Sequence, residues 1–232
     1  MYREGKVGAV ILAAGRSNRM GNGVNKVYRE VLDRPVLVHS VKSFIGSGIV
    51  DEIVVVFNEG EESLLRGRVL EPLEEELTGL SVKCVEGGEK RQGSSRAGLE
   101  VSDSVYVCIH DGARPNFSSD LIVRLLEATV EHGAAFPGIK PVDTIRADDD
   151  GFAGETVDRN SHVKVQTPQC FKRELLLDAI YEAEERNRYF TDDAGVVMAL
   201  DRVKPKIVQG ERGNMKLTTP EDVQLIKVLM SG

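Results

Sequence analysis

The apolar positions of this chain fall into two alternating rhythms. Short runs at 7–12 (VGAVIL), 53–57 (IVVVF), 82–85 (VKCV) and 105–110 (VYVCIH) are apolar and largely β-branched, often at consecutive positions. That pattern belongs to strands of a parallel sheet covered on both faces, not to half-exposed strands. Between these runs, 35–46, 61–77 and 91–101 read as helices. Apolar residues at 121, 122, 125, 126 and 130 fall on one helical face behind Ser118 or Ser119 as N-cap. Leu175, Leu176, Ala179, Ile180 and Ala183 repeat that spacing. The last helix is predicted to start at Thr219 as N-cap, with Pro220 at its first position and Glu221 and Asp222 in its first turn. Strands alternating with helices over short links predict an α/β fold: one domain over 1–232, doubly wound on a mostly parallel sheet.

One segment breaks the rhythm. From 137 to 166 no long helical pattern occurs, while Val142, Ile145, Phe152, Val157, Val163 and Val165 keep strand-type residues coming. A turn at Asp148-Asp149-Asp150-Gly151 splits the segment, which predicts a protruding β-arm. An arm of this kind suits a dimer interface.

Composition narrows the partners. A formal charge of −7 opposes bulk binding to nucleic acid or to an anionic membrane, so an anionic ligand has to be caught by a local basic cluster. The apolar run after the charged N-terminal residues is too short for a membrane span and lacks the order of a signal peptide. Cys84, Cys108 and Cys170 are far apart with no C-x-x-C, and the four histidines show no H-x-x-x-H. These read as buried thiols of a reducing compartment, not as a disulfide frame or zinc site, and a cytoplasmic location is expected.

Ligands of open α/β sheets bind at the carboxyl ends of the strands, so the residues after each strand are the candidates. After the first strand, 13–26 holds three cations (Arg16, Arg19, Lys26), small residues and no acid. Free N–H groups in such a loop cradle phosphate oxygens; the alternative is a solvated basic loop. The stretch matches neither G-x-G-x-x-G nor G-x-x-x-x-G-K-[ST], which weakens dinucleotide and P-loop readings. Asp111, following the 105–110 strand, is a natural Mg²⁺ ligand, since that ion commonly takes one or two carboxylates plus substrate phosphates. It could equally cap a turn or hold Arg114 in a salt bridge, and His110 is expected to be a core residue. Gly87-Gly88 and Ser94 follow the 82–85 strand and admit a flat ring, or form a plain turn. Thr191-Asp192-Asp193, Asn214-Met215-Lys216 and Val157-Asp158-Arg159 add polar groups later in the chain. A cationic loop, a metal-binding Asp and basic residues for a second phosphate suit phosphoryl or nucleotidyl transfer by direct displacement.

LAAGRSNRMG, NK, HDGARP, PVDTI, TVDRN, QTPQCF, TDDA and NMKLTTPED occur in order between residues 12 and 222. In this the chain resembles the CTP-dependent cytidylyltransferases, most closely those acting on 2-C-methyl-D-erythritol 4-phosphate in the non-mevalonate isoprenoid route. The resemblance implies a Rossmann-like nucleotidyltransferase fold, CTP and methylerythritol phosphate as substrates, pyrophosphate as by-product, Mg²⁺ as cofactor, and a homodimer joined by the arm. By the same resemblance, Arg19 and Lys26 are the catalytic cations at the α-phosphorus. Ala13, Ala14, Gly15, Gly87 and Ser94 match CTP contacts, and Asp111 the Mg²⁺ position. Arg114, Thr144, Arg159, Thr191 and Lys216 match acceptor contacts, with Thr144 and Arg159 expected from the partner's arm. Ser17, Asn25 and Val27 depart from the family loop, which has a glycine near 17 and Pro-Lys-Gln around Lys26. The chain ends soon after the last helix, so no fused cyclase domain is expected. Competing readings are a ribitol 5-phosphate cytidylyltransferase, a nucleotide-binding domain without turnover and, disfavoured by the missing fingerprint, an NAD-dependent dehydrogenase.

Overall fold

The computed structural model describes residues 5–15 and 25–231. The chain runs β1 (Val7–Leu12), a 3₁₀ turn at Lys26–Tyr28, β2 (Glu30–Val31), β3 (Arg34–Pro35), α1 (Val36–Ile45), β4 (Glu52–Phe57), α2 (Glu62–Leu65) and β5 (Ser81–Glu86). It continues with α3 (Arg91–Val101), β6 (Tyr106–Asp111), α4 (Ser119–His132), β7 (Ala134–Ile139), β8 (Ile145–Asp149), β9 (Phe152–Val157) and β10 (Lys164–Val165). It closes with β11 (Gln169–Lys172), α5 (Arg173–Glu185), α6 (Asp193–Ala199), β12 (Lys206–Gln209) and α7 (Asp222–Ser231).

The main sheet is ordered β10-β7-β11-β6-β1-β4-β5, with β12 pairing parallel to β7. β1, β4, β5 and β6 are mutually parallel, while β11 is antiparallel to β6 and β7. The unbroken apolar runs have a simple cause: β1, β4 and β6 lie inside the sheet and both of their faces are covered. On one face Phe44 of α1, Leu121 and Leu125 of α4 and Ile226 of α7 are packed, with Ala9 and Ile11 beneath them. On the other face Leu99 of α3, Ile180 of α5 and Val197 of α6 pack over Val10, Val54 and Ile109. From β1 the chain winds out through β4 and β5, then returns to β6 on the opposite side of β1. The order therefore reverses between β1 and β6, where a crevice opens at their carboxyl ends.

Ser118 caps α4, accepting from the Leu121 N–H at 3.1 Å, and Gly133 closes it in the left-handed region at φ 82°. The predicted helix over 61–77 is broken: α2 gives way to a π turn at Arg66–Leu70 and a 3₁₀ turn at Glu71–Leu73. Pro72 is the reason, because it has no N–H to give and its ring crowds the carbonyl four residues back. The last helix begins at Asp222, later than the Thr219 cap implied. The Asp222 carboxylate accepts the N–H groups of Thr218 and Thr219, both at 2.8 Å, so a turn precedes the helix. The arm is also narrower than 137–166, since β7 and β10 at its base belong to the main sheet. What projects is the β8–β9 hairpin, whose turn holds Asp150 at φ 48° and Gly151 at φ 86°.

α3 lies against the sheet through Gly98, where a Cβ would come 2.4 Å from Val10 Cγ1 and 3.0 Å from Val56 Cγ2. Alanine is the better helix former by about 1 kcal/mol. Gly98→Ala is nevertheless expected to destabilise the fold by about 1–3 kcal/mol through overpacking. Urea unfolding measures the difference, and an unchanged or raised midpoint would contradict this packing.

Candidate active site at the sheet reversal

Asp111, the last residue of β6, stands opposite Leu12 of β1 at the reversal point. Its backbone N–H donates to Thr167 Oγ1 at 3.1 Å, and its carboxylate faces three cations. Lys216 Nζ lies 2.8 Å away, Arg91 Nε 3.5 Å and Arg114 Nε 3.6 Å. Each comes from a different piece of chain: Arg91 opens α3, Arg114 follows β6, and Lys216 lies between β12 and α7. Burial on its own would raise the Asp111 carboxyl, but the charges of Arg91, Lys216 and Arg114 outweigh it and hold the group well below the usual carboxylate range.

Arg91 is shared with a second acid. Its Nη1 lies 2.6 Å from Oδ2 of Asp193, a side chain only 1% exposed. Burial works against the charge on Arg91, yet Asp193 and Asp111 together hold its pKa above the ordinary value. The Thr191-Asp192-Asp193 turn is fastened to β11 by Gln169, which donates to Asp192 Oδ2 at 2.9 Å and accepts from the Ala194 N–H at 2.9 Å. Below the cluster, buried His110 bridges Thr167 Oγ1 and the Arg114 carbonyl, both at 3.0 Å, and packs edge-on to Phe44. Burial pushes its pKa down to about 4.

Three cavities meet at this cluster. The first, about 310 Å³, lies beyond β1 and is lined among others by Gly15, Lys26, Gly88, Arg91, Ser94 and Asp111. A second of about 290 Å³ is lined by Arg91, Asp111, Arg114, Gln166 and Thr191. The third, about 610 Å³, runs toward the arm and is lined by Arg114, Lys140, Lys164, Arg212 and Lys216, with no carboxylate in its wall. Lys216 borders all three.

The structure brings most of the predicted residues together. Ala14, Gly15, Lys26, Ser94, Asp111 and Lys216 line the first cavity, and Arg114 and Thr191 line its neighbours. Ala13 and Gly87 stand one step back. Ala13 is buried, and its carbonyl accepts from Asn25 at 2.7 Å. Gly87 packs so closely that a Cβ would come 2.4 Å from Ala14 Cβ, while its neighbour Gly88 faces the cavity. Thr144 and Arg159 are exposed on the arm and line none of these cavities. Arg159 donates to the Val142 carbonyl. Arg19 and Ser17 lie outside the described residues. Two departures in the loop have local explanations. Buried Asn25 ties the loop to Ala13 and Glu61 and caps the 3₁₀ turn through the Val27 N–H, and Val27 fills the core.

Sequence reasoning gave no role to Arg91, Gln166, Thr167 or Gln169, and named Asp193 and Asn214 only as members of polar stretches. For Arg91 a signal existed, since it is a cation in the first turn of a helix after a strand's carboxyl end. For the others the reason lies in partners far along the chain: Arg91 and Asp193 are 102 positions apart.

The family model for 2-C-methyl-D-erythritol 4-phosphate cytidylyltransferase matches residues 7–231. Among curated proteins, the enzyme of that name from Caldanaerobacter subterraneus subsp. tengcongensis is 39% identical, covering 97% of this chain and 98% of its own. That from Geobacillus thermodenitrificans is 38% identical over 96% of each. Among solved structures, the 4-diphosphocytidyl-2C-methyl-D-erythritol synthase of Anaerococcus prevotii superposes with a TM-score of 0.83 at 28% identity, covering 98% of this chain and 99% of that one. The cytidylyltransferase of Thermus thermophilus gives 0.79 at 30% identity over 96% and 98%.

The buried neutral His110 generates a pH prediction. With a folded pKa of about 4 against the ordinary 6.5, the unfolded chain takes up a proton that the folded chain refuses as pH falls through that window. Stability therefore drops between about pH 6.5 and 4, by roughly 2 kcal/mol from pH 7 to pH 5 through this group. In denaturant titrations, His110→Asn is expected to have the shallower slope over that range. Parallel profiles for the two proteins would contradict it.

Proposed function

We propose a division of labour within the site from one premise: the chain belongs to the 2-C-methyl-D-erythritol 4-phosphate cytidylyltransferase family. Its reaction is transfer of a cytidylyl group from CTP to 2-C-methyl-D-erythritol 4-phosphate, a step of isoprenoid biosynthesis. The acceptor hydroxyl oxygen attacks the α-phosphorus in line, the bond to the bridging oxygen breaks, and pyrophosphate leaves. The hydroxyl proton is lost to solvent. No covalent enzyme intermediate is involved.

The triphosphate lies in the cavity beyond β1, against Ala14, Gly15, Ser94 and Lys26. Arg19 and Lys26 are the catalytic cations, neutralising charge that builds on the α-phosphoryl oxygens. The acceptor phosphate lies in the groove toward the arm, with Arg114 and Lys216, while Thr191 stands in the adjoining cavity of about 290 Å³. One observation carries this reading: Lys216, paired with Asp111, borders both the cavity beyond β1 and the arm-side groove, and that groove has five cations in its wall and no acid. A phosphate monoester dianion matches such a wall in a chain whose net charge is −7.

Mg²⁺ is proposed as the cofactor, and the donor set suits a site that substrate completes. Asp111 and Glu89 are the carboxylates lining the first cavity, and among the described residues no group of three or more acidic, His or Cys side chains could hold a metal ion. Such a site suits an ion held by one carboxylate with substrate phosphates as its remaining ligands. Asp111 would hold it, with Lys216 and Arg91 turning toward phosphate oxygens. When bound, the ion supplies further neutralisation of the triphosphate.

Two copies are proposed to form a dimer through the arm, whose Phe152 is 79% and Val142 56% exposed. Thr144 and Arg159, which line none of the three cavities described above, then complete the partner's acceptor groove. Among the described residues no helix is long and apolar enough to cross a membrane. The three free thiols suit a cytoplasmic setting.

Pyrophosphate release with each of four nucleoside triphosphates, against methylerythritol phosphate and ribitol 5-phosphate, tests the reading. Release is expected for CTP with methylerythritol phosphate alone, and release only with ribitol phosphate would overturn the acceptor. Lys26→Ala and Arg19→Ala are each expected to lower kcat by about 100-fold or more without unfolding the chain. Near-normal turnover would remove them from the mechanism. Arg159→Ala is expected to raise KM for the acceptor and leave that for CTP, and the reverse pattern would refute the arm's role.

A further inference from the structure

Gln166 lies between β10 and β11, is 5% exposed, and bears no charge. Its side-chain amide pairs with the backbone of a segment 45 positions away. Nε2 donates to the Glu211 carbonyl at 2.7 Å and to the Asn214 carbonyl at 3.1 Å, while Oε1 accepts from the Glu211 N–H at 3.1 Å. One amide thus answers both backbone groups of Glu211, the two-bond exchange that a neighbouring strand would offer. A substitute is needed there, because the β12–β7 pairing ends at Gln209 and Gly138 and the chain then leaves the sheet. Gly210 makes room, since a Cβ on it would come 2.4 Å from Gln166 Oε1.

Downstream of this clamp is the site. The Asn214 carbonyl accepts a second bond, from Arg114 Nη1 at 2.9 Å, and the Asn214 side chain donates to the Thr167 carbonyl at 2.8 Å. Two residues on, Lys216 meets Asp111 at 2.8 Å, and the Leu217 N–H is fixed to the Ala113 carbonyl at 2.8 Å. Gln166 and Asn214 border the arm-side groove and are absent from the wall of the cavity beyond β1.

We infer that Gln166 is a positioning residue: its amide clamps the 211–214 turn so that Lys216 is presented to the acceptor phosphate, and it governs acceptor affinity while leaving CTP affinity alone. This rests on the reading of the arm-side groove as the acceptor site.

Steady-state kinetics on Gln166→Met, Lys216→Ala and the double variant test it. Gln166→Met is expected to raise KM for the acceptor about tenfold and to keep KM for CTP within about twofold, the scale of losing one or two net hydrogen bonds. Added to Lys216→Ala, it is expected to cause no further loss, because the clamp acts through that lysine. Gly210→Ala displaces the same amide from the opposite side and is expected to reproduce the single-variant pattern. It serves in its place if Gln166→Met does not fold. Equal rises in both KM values, unchanged kinetics, or losses that multiply in the double variant would each overturn the inference. If Lys216→Ala itself leaves acceptor KM unchanged, the groove reading fails first; a Gln166→Met effect persisting in that case would exclude action through Lys216.

Discussion

The structure depends on a single carboxylate surrounded by three cations. Asp111 draws Lys216, Arg91 and Arg114 to the carboxyl end of β6 from three separate stretches of chain. Removed from most solvent, an isolated Asp111 carboxylate would be costly, and so would the Arg114 guanidinium alone. Together with Asp193 they neutralise one another to a net excess of one positive charge, three cations against two acids. That excess is what a site for two phosphorylated substrates requires before they arrive. The ion pairs also act as placeholders, because incoming phosphates compete for cations that are already in position.

The architecture makes this cluster possible. Reversal of strand order between β1 and β6 leaves a crevice at their carboxyl ends, and loops from both halves of the sheet converge on it. Close packing of α3 through Gly98 sets Arg91 at the edge of the crevice, and the 211–217 segment delivers Lys216 from the far side. Thr144 and Arg159 line none of the three cavities at this crevice, which is the ground for proposing that a partner's arm supplies them.

Much of this was legible in the sequence because it follows from local rules. Strands β1, β4 and β6 were readable since cover on both faces makes nearly every position apolar, and the loop after β1 stood out as cations without acids. Where local rules compete, reading failed: the apolar spacing over 61–77 implied a helix that Pro72 interrupts, and Thr219-Pro220 resembled a helix start although the Asp222 carboxylate sets the true one. The cluster's supporting residues were illegible for another reason. Gln166 and Asp193 gain their roles only from segments brought beside them by the sheet, and nothing in the flanking residues marks a glutamine as a clamp. Asn25 was readable as a departure from the family loop, but its tie to Ala13 exists only in three dimensions.

The most direct measurement is the kinetics of Asp111→Asn with each substrate varied in turn. Loss of the shared anion is predicted to lower kcat by about 100-fold or more and to raise KM for both CTP and the acceptor, because Arg91, Arg114 and Lys216 lose their common anchor together. An effect confined to one substrate, or a kcat within about threefold of the parent, would contradict a site organised around this one carboxylate.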